Sequence, residues 1–298
     1  MSFLQYLING VSIGAVYAII ALGYTMVYGI AKMLNFAHGD VIMVGAYMSY
    51  SVTSYLGLPT VVGIAVAVLV CTLLGILIEG LAYKPLRGVP SLAVLITAIG
   101  VSYFLQNAAQ LIWGSAPKNF KSIVTMKPVV LFGGQLTITG EVIYTIVISV
   151  LIMVALTLFI NKSRMGKAMR AVSEDRAAAQ LMGINVNQTI STTFAIGSAL
   201  AAIAGVLLCS TVPTLMPTTG SMPGIRAFTA AVLGGIGSIP GAMLGGVLLG
   251  ILIEGLAYKP LRGVPSLAVL ITAIGVSYFL QNAAQLIWGS IQIGRAHV

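Results

Sequence analysis

Apolar runs long enough to cross a bilayer recur along most of this chain, and they leave it few ways to fold. Residues 3–30, 34–56, 60–82, 92–113, 142–160 and 189–212 are such runs, each close to the ~20 residues a spanning helix needs. In lipid every backbone N–H and C=O must be paired inside the protein, so only helices and closed β-barrels can span. Barrel strands alternate apolar and polar residues, whereas these runs are continuous. An all-α polytopic membrane protein is therefore expected. Its 7% of charged residues, against about 25% in soluble domains, point the same way. A further stretch, 225–257, is broken by "GGIGSIPGA", and 267–288 supplies a last candidate span. About eight transmembrane helices are expected, with discontinuous or re-entrant segments among them.

Charge orients the chain. With the amino terminus outside, the inner loops hold Lys32, Lys84, Arg87, Lys162, Arg164, Lys167, Arg170 and Arg176. The outer ones hold only Lys118, Lys121 and Lys127, with Arg226 at a margin. Positive charge concentrates in the cytoplasm, so residues 161–189 are expected inside and 114–140, polar and turn-rich, outside as a hairpin-like loop. The net charge of +9 then reports inner loops rather than a nucleic-acid partner, since no basic stretch is interleaved with stacking aromatics. The opening "MSFLQYLING" lacks the basic start of a cleavable signal, so the first run is expected to stay as a helix. Cys71 and Cys209 lie inside apolar runs and read as small hydrophobes, not as metal ligands or a disulfide.

Three stretches carry chemistry. In "GIAKMLNFAHGDVIMVGAYMSY", residues 29–50, the polar groups of Asn35, His38 and Asp40 stand at the edge of a span, where they are costly and usually have a task. Asn35 or Asp40 could cap the second helix, or the three could line a transport path; one histidine and one carboxylate are too few for a metal site. In residues 161–189, "EDRAAAQLM" reads as a short helix within 171–184. Glu174 and Asp175 are expected at its amino end and Gly183 at its close. That helix is either a solvated loop element or a docking helix for a cytoplasmic subunit. In "FTAAVLGGIGSIPGAMLGGVLLG", residues 228–250, Gly241 with Gly245 and Gly246 with Gly250 permit close backbone approach. Pro240 and its neighbouring glycines break the helix, and a broken helix in lipid must be buried or line a cavity.

No phosphate-binding loop, GxSxG, HExxH or CxxC occurs, and Glu79 and Glu141 are not spaced as an acid–base pair. No enzyme and no cofactor are expected.

Together "LNFAHGDVIMVGAY", "GKAMRAVSEDRAAAQLMGIN" and "AVLGGIGSIPGAMLGGVLLG" resemble the permease subunits of bacterial branched-chain amino acid ABC importers of the LivH type, continuously over residues 1 to about 253. The resemblance implies an ABC importer permease fold in the inner membrane. It also implies a second, LivM-type permease subunit, two cytoplasmic ATP-binding cassette subunits and a periplasmic amino-acid-binding protein. Leucine, isoleucine or valine would be the cargo, with urea or short-chain amides as the alternative. A passive channel is the rival class. "DRAAAQLMG" is similar to the coupling helix of such permeases. Ala177 and Ala178 match its alanine pair and Gly183 its glycine, while Arg170, Glu174 and Asp175 would face the ATPase. For an apolar path with a few polar groups, the candidates are Asn35, His38, Asp40, Gly235, Gly237, Pro240 and Gly241.

One feature departs from the family. Residues 248–290 repeat 73–115 at every position, and the chain ends "IQIGRAHV". Structural repeats in transporters share little sequence, and a frame through a common sequencing adapter translates to IGRAHV. Residues 254–290, a copy of 79–115, are therefore expected to be misassembled, and 291–298 to be adapter-derived. No function is carried onto them.

Overall fold

The computed structural model describes residues 2–89, 91–122, 128–131, 136–235 and 237–252. The copied segment, the last candidate span at 267–288 and the tail lie outside them.

Helix α1 runs Ser2–Ala31, α2 His38–Tyr50, α3 Thr60–Ile78, α4 Ser91–Trp113 and α5 Gly140–Lys162. Two short helices follow, α6 (Arg164–Glu174) and α7 (Arg176–Leu181). Then come α8 (Val186–Thr211), α9 (Ser221–Leu233) and α10 (Ile239–Leu252). Among the described residues five stretches are long and apolar enough to span: Leu7–Ala31, Thr60–Leu86, Leu92–Trp113, Gly140–Lys162 and Val186–Thr211. The chain is an all-α polytopic membrane protein whose other helices, α2, α9 and α10, are shorter.

The second expected span, 34–56, is corrected. Residues 32–37 are not helical, Lys32 has φ 52°, and α2 begins only at His38 before ending in a π-helical turn at Ser51–Tyr55. The break in 225–257 falls where the glycines put it: α9 stops at Leu233 and α10 restarts at Ile239. Gly235 and Gly237 have φ 86° and 100°, which L side chains adopt only with strain. The Ser238 hydroxyl accepts from Gly241 N–H at 3.2 Å and closes the first turn of α10.

Helices α1 and α8 form the centre, with 89% and 72% of their most apolar windows buried, while α5 has only 17%. Small residues bring the backbones together. A β-carbon on Gly14 would stand 2.7 Å from Val247 Cα, one on Gly246 2.6 Å from Ala18 N, and one on Gly45 2.6 Å from Ala202 Cα. Gly246 and Gly250 thus seat α10 on α1, and Gly245 meets Ala230 of α9. Without a hydrophobic drive between helices in lipid, such approach is what dispersion forces require. The outer faces of α3, α4 and α5 expose Leu73, Phe104, Leu111 and Leu151, a girdle suited to lipid rather than water.

Four short strands occur among the described residues. β1 (Lys118–Asn119) pairs antiparallel with β4 (Thr214–Leu215). β2 (Val129–Leu131) and β3 (Leu136–Ile138) form an antiparallel ladder with Val129 opposite Ile138, the pairing expected within 114–140.

Candidate functional site

Two groups of candidate residues occupy different depths. Asn35, His38 and Asp40 are all buried, at 4%, 1% and 2% exposure. The capping role expected of Asn35 or Asp40 is not found: Ala37 is the N-cap of α2, with no side-chain cap. Asn35 Oδ1 instead accepts from the Tyr83 hydroxyl at 3.0 Å, 48 residues away, and that tertiary partner takes the oxygen a cap would need. The His38 ring lies edge-on to Tyr24 with centroids 4.7 Å apart, against the bare backbone of Gly23. Its Nε2 is buried without a hydrogen-bond partner. Asp40 Oδ1 accepts from Gln106 Nε2 at 2.9 Å, and the same nitrogen lies 3.3 Å from Ser221 Oγ. The Gln106 amide therefore links α2, α4 and the start of α9. The crevice beside Asn35, between Tyr24, Tyr28 and Phe228, has no room for a water-sized guest.

The second group gathers at one end of the bundle. The loop 161–189, expected to hold one short helix, holds two. Residues 171–174 finish α6, Asp175 turns out with φ −147° and ψ 116°, and α7 starts at Arg176. The Asp175 carboxylate forces this by accepting from Ala177 N and Ala178 N at 2.7 and 3.0 Å. A side chain that caps the second helix cannot also continue the first. Glu174 is corrected too. It stands at the carboxyl end of α6, not the amino end of α7, so the dipole there does not favour it. Gly183 closes α7 as expected. Its φ is +81°, its N–H bonds Gln180 O at 3.0 Å, and Ile184 N–H bonds Ala179 O at 3.0 Å, the paired bonds of a Schellman motif.

Clamps fix this end. Arg176 donates to the carbonyl of Ala31, the last residue of α1. Burial, and then the Arg87 charge, hold its pKa below the usual guanidinium value. Arg87 in turn pairs with buried Glu79 and donates to Asn187, while Glu79 accepts from Ser191. Arg170 donates to Asn161 Oδ1 at 3.3 Å. Ala177, Ala178, Leu181 and Met182 face outward, the last two at 89% and 82% exposure. Sequence reading missed Leu181 and Met182 because they look like interior residues of an apolar helix; only the turn at Gly183 leaves them outside.

A cavity of about 490 Å³ joins the two predicted sets at this end. Gly237 and Pro240 from the α9–α10 break face Lys32, Asn161, Arg170 and Glu174 across it. Gly235 is not among its walls, and Gly241 packs against the backbone of Gly234 instead. At the opposite end, where β1 meets β4, a second cavity of about 400 Å³ lies between α1, α8 and α9, with Arg226 in its wall. Among the described residues no group of three or more His, Cys, Asp or Glu could hold a metal ion.

Known proteins are similar to this chain. A family model described as "Branched-chain amino acid transport system / permease component" matches residues 6–289. The high-affinity branched-chain amino acid transport system permease protein BraD of Pseudomonas aeruginosa is 48% identical, over 84% of this chain and 84% of its own. The corresponding LivH of Escherichia coli K12 is 47% identical, over 84% of each. PsaBC from Streptococcus pneumoniae, solved in complex with Fab, superposes with a TM-score of 0.50 at 16% identity. That match covers 94% of this chain and 90% of that one, a likeness of fold alone. From the matched residues and the identity along most of its length, the chain belongs to the family of permease components of branched-chain amino acid transport systems.

Proposed function

We propose that this chain is the transmembrane permease subunit of a bacterial ABC importer and carries leucine, isoleucine or valine across the inner membrane. It works with a second, related permease subunit, two cytoplasmic ATP-binding cassette subunits and a periplasmic amino-acid-binding protein. ATP hydrolysis belongs to the cassette subunits. The α6–α7 end lies in the cytoplasm and the β2–β3 ladder in the periplasm. The proposal concerns residues 1–253 and assigns no role to 254–298.

The observation that carries the reading is the build of α6 and α7. Both ends of α7 are capped, its first residue is tied to α1, and its apolar tip of Leu181 and Met182 points outward. A passive channel has no use for a rigid, apolar knob outside the membrane. A permease driven by separate ATPases needs one, because the motion must enter through a docked element. Arg170 and Glu174, close to that knob, share a cavity with Gly237 and Pro240 of the broken span. A displacement of α6 therefore reaches the break directly.

The test is deletion of 171–184 in the assembled importer, reconstituted in vesicles with its binding protein. Energised leucine uptake disappears if the reading holds. Uptake or leucine flux that persists without these residues sinks it in favour of a channel.

A further inference from the structure

An open groove of about 650 Å³ runs beside α7, between it, the start of α8 and the turn at Arg87 that follows α3. Arg87, Arg176, Ala177, Gln180, Asn185 and Asn187 are among its walls. Its two cations are in different states. Arg87 is neutralised, since it pairs with Glu79, and it also donates to Asn187. A guanidinium has five N–H donors, and Arg176 donates to the carbonyl of Ala31, a neutral group. The acids beside it in sequence are turned elsewhere: Asp175 caps α7, and Glu174 lines the cavity at Gly237. Among the described residues the one ion pair is Glu79 with Arg87, so the Arg176 charge has no carboxylate there. The like charge of Arg87 is near enough to lower its pKa. The last described helix ends at the other face of the bundle. Gly250 of α10 packs on Gly10 and Gly14 of α1, about 25 Å along that helix from Ala31.

The groove and the apolar tip belong to one surface. Ala177 and Gln180 stand on the same short helix as Leu181, and Gly183 lines the groove next to Met182. A protein seated on Leu181 and Met182 therefore covers Arg176 and takes water from it. Burying a charge in this way is costly unless a counter-ion arrives with the cover. A carboxylate is the group that fits, because a guanidinium meets it in a planar pair of bonds. We infer that the groove receives an acidic side chain of the cassette subunit, whose carboxylate pairs with Arg176 while its neighbours cover Leu181 and Met182. The inference rests on the importer reading and deepens it. The apolar tip supplies contact area, and the ion pair fixes the orientation in which the cassette subunit sits. Gln180, Asn185 and Asn187 are neutral and add no competing charge to the wall.

The experiment uses the whole importer, with leucine uptake in vesicles and co-purification of the cassette subunits measured first. Gln180→Lys places an amine at the edge of the groove, and a water-soluble carbodiimide joins that amine to a carboxylate held beside it. A cross-linked peptide of the cassette subunit is expected, joined through an aspartate or glutamate. That acid is then changed to its amide, alone and together with Arg176→Gln in the permease, and the affinity of the cassette subunit is measured. Each single change should weaken binding about tenfold, the loss of one charge-assisted pair, with Arg176→Lys between. The two changes together should weaken it no further than either one. An additive loss of about a hundredfold overturns the inference, because Arg176 then acts through Ala31 and not through the acid. No cross-link to the cassette subunit, in a complex that still takes up leucine, overturns it and leaves the importer reading standing. A cross-link to lipid alone reassigns the groove to an anionic headgroup and overturns it too. If Arg176→Gln does not assemble, the acid-to-amide change on the unaltered permease decides, and unchanged binding overturns the inference. Absence of both uptake and cassette subunits in the unaltered complex removes the importer reading and the inference with it.

Discussion

The Arg176 guanidinium donates to the main-chain carbonyl of Ala31, joining the first residue of α7 to the last of α1 across 145 positions of chain. The final carbonyls of a helix have no partner within it, so the contact both satisfies α1 and anchors the outward-facing knob to the most buried helix of the bundle.

Removing that anchor should uncouple the knob. Arg176→Ala deletes a charged hydrogen bond worth about 1.5–3 kcal/mol when buried. Because the side chain is half-exposed, the loss of stability should fall at or below the lower end of that range. Energised uptake should fall about tenfold or more if the lever is made of these parts, as a misplacement of order 1 Å can cost ~100-fold in rate. Unchanged uptake with a lowered melting temperature would show that the contact is structural only.

The exposed tip gives the opposite pattern. Leu181→Glu with Met182→Glu alters two side chains that touch little within this chain, so thermal stability should move by no more than about 0.5 kcal/mol per substitution. Co-purification of the cassette subunits should be lost. Retention of those subunits on the doubly substituted permease would return α7 to the status of a solvated loop.

Glu79 and Arg87 make the ion pair found among the described residues, with side-chain exposures of 2% and 15%. Leaving one charge of such a buried pair without its partner costs about 3–5 kcal/mol. Glu79→Leu should therefore unfold the permease at clearly lower temperature, and the double substitution Glu79→Leu with Arg87→Met should recover most of the loss. A simple sum of the two single effects would deny that they act as a pair.

Close backbone approach is tested at Gly45. Its added β-carbon would stand 2.6 Å from Ala202 Cα and 3.1 Å from Ala202 Cβ, so α2 or α8 must shift to admit it. Gly45→Ala should cost about 1–3 kcal/mol, the range for overpacking, read as a fall in the melting temperature of the detergent-solubilised protein. A neutral result would mean that these helices are less tightly joined.

The Asn35–Tyr83 contact is open to a cycle of substitutions. Tyr83→Phe leaves a buried amide oxygen without its donor, a loss of about 1–3 kcal/mol. Asn35→Leu combined with Tyr83→Phe should cost less than the two singles added together. Additive losses would mean that Asn35 is held by other groups.

Much of this was legible in the sequence, and the reasons are local. Continuous apolar runs dictate helices because lipid offers the backbone no other partner, and the glycines at 234, 235 and 237 break the span wherever it is placed. The close of α7 at Gly183 follows from one residue's freedom at positive φ. What could not be read is lateral. Helix α5 has a mean hydropathy of 2.8 and is 17% buried in its window, whereas α1, at 1.8, is 89% buried. Helix α4, at 1.6, is nevertheless only 22% buried, so hydropathy finds spans but does not rank them from the centre outward. Shape decides that order, through glycines that meet a particular neighbour. Likewise Asp175 divided an expected single helix because its carboxylate found two N–H groups, and Asn35 gave up a cap for the hydroxyl of Tyr83. Arg170 and Glu174 reached Gly237 and Pro240 only because α5, α1 and α10 pack side by side. The sequence alone determined five segments long and apolar enough to span and the break between α9 and α10, but not the break at 32–37. The tertiary structure decided which polar groups meet, since that depends on partners far apart in the chain and on the fit of small residues between helices.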